Sequence, residues 1–249
     1  MLQTEERVEE GIKDREDVVA IVPAYNAQAT IGAVVGGLAE CWGKAAANEA
    51  IIVVDDGSTD ETSVVASERG AQVVRHDRNR GKGAALRTGL LVARARGFRV
   101  AVTLDADGQH AADQAWMLAQ APVGKDALVL GVRDLANARA PRANQVSNGI
   151  SNFFLSKFAG MELQDTQCGL RRYPIQTTLG LGASSNGFAY EAEVLLLARF
   201  AGVPIEQVAI DVCYDAARTS HFDVVRDPAR IITRVLWTVA RGRVTRITR

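Results

Sequence analysis

Two carboxylates, Asp105 and Asp107, follow directly on an apolar run at residues 100–104, in the stretch Thr103-Leu104-Asp105-Ala106-Asp107-Gly108-Gln109-His110. The run reads as a buried strand, and in extended chain, side chains two residues apart point the same way. Two carboxylates aimed together repel each other unless a cation lies between them. A divalent cation carrying phosphates answers that need, because Mg²⁺ is usually held by one or two carboxylates together with substrate phosphate oxygens. If the strand belongs to a parallel sheet, both acids stand at its carboxyl end, where such sheets place their ligands.

The flanking sequence predicts such a sheet. Residues 18–24 form a continuous apolar run ended by Tyr25-Asn26, and helical spacing follows at Ile31, Val34, Val35 and Leu38. A β-branched run at 51–54 closes on Asp55-Asp56-Gly57, a third strand covers 72–75 and a fourth 99–104. Ser58, with Glu61 three residues later, fits a capping box opening the helix between the second and third strands. Gly70 and Gly97 are suited to close helices as left-handed caps. Downstream, the pattern predicts helices over 114–120, 144–158 and 190–200, and strands over 127–132 and 205–212. Strands alternating with helices indicate an α/β fold with a mostly parallel central sheet covered on both faces. With no internal repeat, low-complexity segment or flexible linker, the chain reads as a single domain.

Two further stretches fall where ligands gather. Asp55-Asp56-Gly57-Ser58-Thr59-Asp60 follows the second strand, where an aspartate can accept from the N–H groups of a base or the hydroxyls of a ribose. Asn79-Arg80-Gly81-Lys82-Gly83 is a basic, glycine-rich helix entry, and backbone N–H groups with a lysine there suit a phosphate. The spacings of the P-loop and of the dinucleotide-binding G-x-G-x-x-G are both absent.

Taken in order, Val22-Pro23-Ala24-Tyr25-Asn26, the 55–60 stretch, the 79–83 stretch and the 105–110 stretch resemble the family 2 glycosyltransferases of the GT-A fold, a Rossmann-like α/β domain. Asp165-Thr166-Gln167-Cys168-Gly169-Leu170-Arg171, Tyr190-Glu191-Ala192-Glu193 and Ser220-His221-Phe222 look like the dolichol-phosphate mannosyltransferase branch and its bacterial polyprenyl-phosphate relatives. The resemblance divides the chain into an N-terminal extension (1–17), a glycosyltransferase domain (18–222, with a donor-binding half 18–110 and an acceptor half 111–222) and a C-terminal segment (223–249).

It also implies roles. Pro23, Tyr25, Asn26, Asp56, Lys82, Asp105 and Asp107 are expected at the nucleotide-sugar donor, Asp56 on the base. Asp105, Asp107 and Gln109 are expected to hold Mg²⁺ or Mn²⁺ against its diphosphate. Arg133 and Ser147 match positions that meet the acceptor phosphate. Ala27 stands where the family usually has Glu, so one donor contact is expected to be either lost or taken by Gln28. Asn144-Gln145 stands where a basic pair is usual, so Arg142 and the displaced Arg218 are expected to complete the acceptor-phosphate site.

The implied reaction is inverting transfer of a hexose from a nucleoside-diphosphate sugar, of GDP-mannose or UDP-glucose type, to a polyprenyl or dolichyl phosphate. Arg133 and Lys82 add fixed positive charge where the leaving diphosphate develops its own. A phosphate monoester acceptor has a second pKa of about 6 and is largely dianionic at neutral pH, so it needs positioning more than a base. A soluble or glycan hydroxyl acceptor requires a base, for which Asp165, Glu191 and Glu193 are candidates. The two glutamates lie two apart on a helix, so at most one enters the site. His110 and His221 have no partner at ligand spacing, and Cys168 reads as a packed residue rather than a nucleophile. A sugar-phosphate nucleotidyltransferase is disfavoured because Ala24-Tyr25-Asn26 occupies the place of its glycine-rich loop. A non-enzymatic nucleotide-binding module remains the alternative outside enzymes.

Composition bounds the partners. The 249 residues carry 29 Lys and Arg against 29 Asp and Glu, so overall charge does not recruit nucleic acid. Cys41, Cys168 and Cys213 are widely spaced, which favours a reducing, cytoplasmic setting. No apolar run reaches the roughly eighteen residues of a membrane-spanning helix. From Arg218 onward, eight arginines face two aspartates. Asp227-Pro228 can open a helix there, with Ile231, Ile232, Val235, Leu236 and Val239 on one face and Arg230, Arg234, Arg241 and Trp237 on the other. That arrangement suits peripheral binding to an anionic membrane surface at the cytoplasmic face.

Overall fold

The apolar runs become strands buried on both faces because helices cover each side. In the computed structural model, residues 17–43, 49–136, 140–212 and 233–234 are described. The strands β1 (Val18–Ala24), β2 (Ile51–Asp55), β3 (Gln72–Arg75), β4 (Val100–Thr103), β5 (Leu128–Arg133), β6 (Arg171–Pro174) and β7 (Ile205–Ile210) form one sheet in the order β3-β2-β1-β4-β6-β5-β7. All run parallel except β6, which pairs antiparallel with β4 and β5. The carboxyl ends of β1, β2, β4 and β5 therefore share one edge, and β6 enters the sheet at that same edge, with Arg171 opposite Thr103.

The helices are α1 (Ile31–Trp42), α2 (Thr62–Glu68), α3 (Lys82–Ala95), α4 (Ala112–Ala119), α5 (Arg142–Ala159), α6 (Ile175–Gly180) and α7 (Ala189–Phe200). Alternation along β1 divides the core. Val18, Ala20 and Val22 pack with Val35, Leu38 and Leu118 on one face; Val19 and Ile21 pack with Leu86, Leu90 and Leu195 on the other. On the first face, Trp42 and Trp116 meet edge-on, with ring centroids 4.8 Å apart and planes at 71°.

Gly70 and Gly97 follow α2 and α3 with φ of 91° and 88°. Each sets up the hydrogen bond from the next residue back into the helix, Ala71 N–H to Ala66 O at 3.2 Å and Phe98 N–H to Ala93 O at 3.1 Å. The capping box at Ser58 and Glu61 does not form. α2 starts at Thr62, whose N–H donates to Asp60 Oδ1 at 3.1 Å. Ser58 is drawn instead into the neighbouring loop: its hydroxyl accepts from Asn26 N–H at 2.9 Å, and its own N–H donates to Asp55 Oδ1 at 2.8 Å. A carboxylate acceptor outcompetes a hydroxyl for a backbone donor.

β6 and α6 have no counterpart in the sequence reading. β6 is Arg-Arg-Tyr-Pro, with both arginines fully buried. Arg171 donates to the carbonyls of Cys168 (2.9 Å), Glu191 (2.9 Å) and Thr166 (2.7 Å), and Arg172 to those of Ala121 (3.1 Å) and Gly124 (3.2 Å). Those carbonyls, from the loop just before β6 and from segments remote in sequence, supply what water would otherwise provide.

α3 packs closest to the sheet at Gly89, where a Cβ would stand 2.5 Å from Ile21 Cγ2 and 3.4 Å from Val54 Cγ2. Gly89→Val is expected to overpack this contact at a cost of about 3 kcal/mol. In thermal denaturation followed by circular dichroism, the midpoint should fall by about 6–12 °C.

Candidate active site at the carboxyl edge of the sheet

The loops leaving the carboxyl edge are held by carboxylates before any ligand is considered. Asp56 is buried after β2; its Oδ1 accepts from Arg80 N–H at 2.9 Å and lies 2.6 Å from His76 Nδ1, and its Oδ2 accepts from Gly81 N–H at 2.7 Å. His76 Nε2 reaches Thr88 Oγ1 in α3 at 2.9 Å. Asp56 thus fixes the turn that launches Lys82, the first residue of α3.

Lys82 Nζ lies 2.6 Å from Asp105 Oδ1 and 3.1 Å from Glu191 Oε2, with the Phe188 ring centroid at 5.6 Å. Burial pulls the lysine pKa down, but the two carboxylates outweigh burial and leave it above the ordinary lysine value. Burial raises the Asp105 pKa, and Lys82 more than reverses that, holding the group ionised. Gly169 closes the other side of Asp105, because a Cβ on it would land on the carboxylate. Thr103 Oγ1 donates to Gly169 O at 2.9 Å and pins that loop to β4.

Asp105, Asp107, Gln109, Lys82, Arg133 and Glu191 line one pocket. Asp107 Oδ1 accepts from Gln109 N–H at 2.9 Å. Arg133, at the end of β5, grips Asp165 through Nε (2.7 Å) and Nη2 (3.0 Å), and its backbone N–H also donates to Asp165 at 3.2 Å. α5 adds Asn144 and Ser151, and Thr166 Oγ1 donates to Ser151 Oγ at 2.8 Å.

The sequence model of glycosyl transferase family 2 matches residues 19–178, which span this sheet edge. The chain belongs to that family. Among its relatives, the UDP-N-acetylglucosamine–dolichyl-phosphate N-acetylglucosaminyltransferase of Methanococcus voltae is 30% identical over 79% of this chain and 86% of its own length. The undecaprenyl-phosphate mannosyltransferase of Micrococcus luteus is 26% identical over 78% and 82%. Glucosyl-3-phosphoglycerate synthase of Mycobacterium tuberculosis superposes with a TM-score of 0.69 at 21% identity, over 90% of this chain and 80% of that one, which shows the GT-A fold.

In this family 2 glycosyltransferase several expected site residues stand elsewhere. Asp165 is fully buried and paired with Arg133, whose guanidinium it orients. Ser147 is buried behind the pocket and accepts from Gln167 Nε2 at 3.0 Å; Ser151, one helical turn on, takes the lining position. Arg142 is exposed at the start of α5 and does not line the pocket. Pro23, Tyr25, Asn26 and Asp56 also stand outside it. Asp56, expected on a base, spends both oxygens on His76 and the 80–81 amides. Gln28, expected to replace the missing Glu, accepts from Glu61 N–H at 3.0 Å.

Glu193 points away from Glu191. Its Oε2 accepts from the Ser184 and Ser185 N–H groups at 3.1 and 2.8 Å, and its Oε1 from Arg234 at 2.6 Å. Arg234 is therefore tied to the domain, not turned outward as the helical wheel suggested. Arg218, Arg230, Trp237, Arg241, His221, Cys213 and most of 1–17 and 223–249 lie outside the described residues. Asn144, Ser151 and Phe188 were not anticipated; the seven-residue spacing of Asn144 and Ser151 on α5 was the available signal.

His110 lines the pocket but is otherwise enclosed, with Nε2 3.9 Å from Cys168 Sγ. Burial pushes its pKa down to about 4, and the Cys168 thiol is pushed up to about 12, so both are neutral at physiological pH. The neutral imidazole is favoured in the folded state, so the unfolded chain binds the extra proton as pH falls below about 6.5. Stability from this group is complete above that pH and is lost toward pH 4. Chemical denaturation of wild type and His110→Gln at pH 7.5 and pH 4.5 should show wild type losing more, by on the order of 2 kcal/mol. Equal losses would remove His110 as the cause.

Proposed function

We propose that this glycosyltransferase moves a hexose from a nucleoside-diphosphate sugar, of GDP-mannose or UDP-glucose type, to a polyprenyl phosphate, with inversion, at the cytoplasmic face of a membrane. One observation carries the acceptor assignment. α5 turns Asn144 and Ser151 into the pocket, while on its outer side Val146, Ile150 and Phe153 are 62%, 44% and 63% exposed. Their spacing sets these three along one stripe, with Arg142 and Lys157 exposed at either end of the helix. An apolar stripe flanked by cations suits a lipid surface, and a pocket on the same helix suits that lipid's phosphate. No helix among the described residues is long and apolar enough to cross a membrane, so contact is at the surface. In this reading, residues 18–110 handle the donor and 111–222 the acceptor.

Asp105, Asp107 and Gln109 fit Mg²⁺ or Mn²⁺. They offer hard oxygen donors lining one pocket, yet no three His, Cys, Asp or Glu among the described residues form a metal cage by themselves. That donor set suits a cation that keeps positions for phosphate oxygens, and the solved mycobacterial synthase has been crystallised with Mn²⁺ and UDP-glucose. When bound, the cation stabilises the charge growing on the departing diphosphate. Lys82 and Arg133 add fixed charge, and the fork from Asp165 holds Arg133 in one orientation. Asp105 and Asp107 are assigned here to the cation, and Glu191 meets Lys82 through Oε2 while its Oε1 is buried out of solvent. This favours a dianionic phosphate acceptor, which needs no base, over a hydroxyl.

The test supplies labelled GDP-mannose or UDP-glucose and Mn²⁺ with anionic vesicles containing polyprenyl phosphate, followed by organic extraction. Wild type should carry label into the organic phase. Asp107→Asn should lose transfer by at least about a hundredfold while still sedimenting with vesicles. The triple variant Val146→Ser, Ile150→Ser, Phe153→Ser should lose sedimentation and transfer to vesicles while keeping donor-induced thermal stabilisation. Label confined to a water-soluble product would replace the lipid reading with a soluble acceptor.

A further inference from the structure

The pocket holds one lysine for two acids. Lys82 Nζ is 2.6 Å from Asp105 Oδ1, at the end of β4, and 3.1 Å from Glu191 Oε2, in the first turn of α7. The Lys82 and Glu191 side chains are largely buried and that of Asp105 is 31% exposed, so the charges are only partly screened and their pairing governs the local field. Asp105 is also one of the carboxylates assigned to the cation. An ammonium on that carboxylate repels a dication approaching it. Glu191 has capacity to spare: its Oε1 is buried with no hydrogen-bond partner, and the nearest cation, Arg171 Nε, stands 3.8 Å away.

We infer that Lys82 is an electrostatic latch on the cation site, and that Glu191 is the second seat that receives it. In the nucleotide-free protein the latch rests on Asp105 and opposes binding of a divalent cation alone. A nucleoside diphosphate brings the negative charge that lets the cation and Lys82 coexist, and Lys82 then rests on Glu191 and the diphosphate. Cation and nucleotide therefore enter as a pair, and the bare protein does not hold the cation tightly. Glu191 acts here as a positioning residue, through Lys82. The inference rests on Asp105 and Asp107 forming the cation site.

Electron paramagnetic resonance of free Mn²⁺ tests it without turnover. Mn²⁺ is titrated into wild type, Lys82→Met, Glu191→Gln and Asp107→Asn, each alone and with UDP or GDP. Wild type should bind Mn²⁺ weakly alone and about tenfold or more tightly with the matching nucleotide. Lys82→Met should bind Mn²⁺ alone about tenfold more tightly than wild type, with the nucleotide effect reduced. Glu191→Gln, which leaves Lys82 only Asp105, should shift the other way and bind Mn²⁺ alone more weakly. A lysine that merely supported the fold would not raise cation affinity when removed. Unchanged Mn²⁺ affinity in both variants, with Asp107→Asn abolishing nucleotide-dependent binding, overturns the latch while the cation site stands. Nucleotide-dependent Mn²⁺ binding that Asp107→Asn leaves intact overturns the site and the latch together. Should Lys82→Met fail to fold, as judged by circular dichroism, Glu191→Gln decides alone.

Discussion

Lys82 sits between carboxylates from opposite halves of the chain, Asp105 at 2.6 Å and Glu191 at 3.1 Å. A buried ammonium is tolerated only where opposite charge offsets its lost hydration, and neither half supplies that alone. Asp105 belongs to the parallel strands on the β1 side of the sheet, and Glu191 to a helix that follows the antiparallel β6. β6 crosses between β4 and β5 away from the carboxyl edge, so the pairing requires α6 and the loop before α7 to bring the later chain back to it. Arg171 enforces that crossing, since its guanidinium ties the carbonyls of Thr166, Cys168 and Glu191 together. The loop behind Asp105 and the first turn of α7 are thereby referenced to a single rigid cation.

The same chemistry recurs one layer out. Asp56 gathers two amides and His76 to set the turn before Lys82, and Asp165 clamps Arg133 through two side-chain hydrogen bonds and one from the backbone. Glu193 gathers the Ser184 and Ser185 amides beside α7. Each of these carboxylates stabilises an arrangement rather than presenting a free oxygen, and each neighbours a residue that lines the pocket. A site that must bind a highly charged diphosphate needs its own charges held in place beforehand, because reorganising them during the reaction forfeits the electrostatic gain.

This division explains what was legible in the sequence. Strands β1, β2, β4 and β5 were readable because their apolar runs are buried on both faces, the half-buried edge strands β3 and β7 because their apolar residues lie between turn signals, and Asp105 with Asp107 because they end such a run. β6 was not, because four residues containing two arginines carry no apolar signal, and the carbonyls that accept from them lie 3 to 51 residues away. Asp56 and Asp165 look the same in sequence as Asp105. What separates supporting acid from pocket acid is the position of a backbone N–H or a guanidinium on another segment. The choice between Glu191 and Glu193 was similarly out of reach: helical spacing excludes both facing one way, but only the placement of the 184–185 amides says which turns aside. Arg234, read as outward-facing, was misplaced for a related reason, since it finds Glu193.

On the proposed reading, α5 reconciles a charged reaction with an apolar acceptor. Its inner face presents short polar side chains, Asn144 and Ser151, which can hydrogen-bond a phosphate without adding charge of their own. The charge is supplied across the pocket by Arg133, anchored by the buried Asp165, and by Lys82, anchored by Asp105 and Glu191. Its outer face is apolar and has no room in the core, because the Leu155 side of the helix already packs there. Had the inner face carried arginines, the pocket would hold more fixed cations than anchoring acids and would need a permanent counterion. With uncharged residues there, three acids face two cations in the pocket lining, and on the proposed reading the divalent cation and the phosphates complete the balance together.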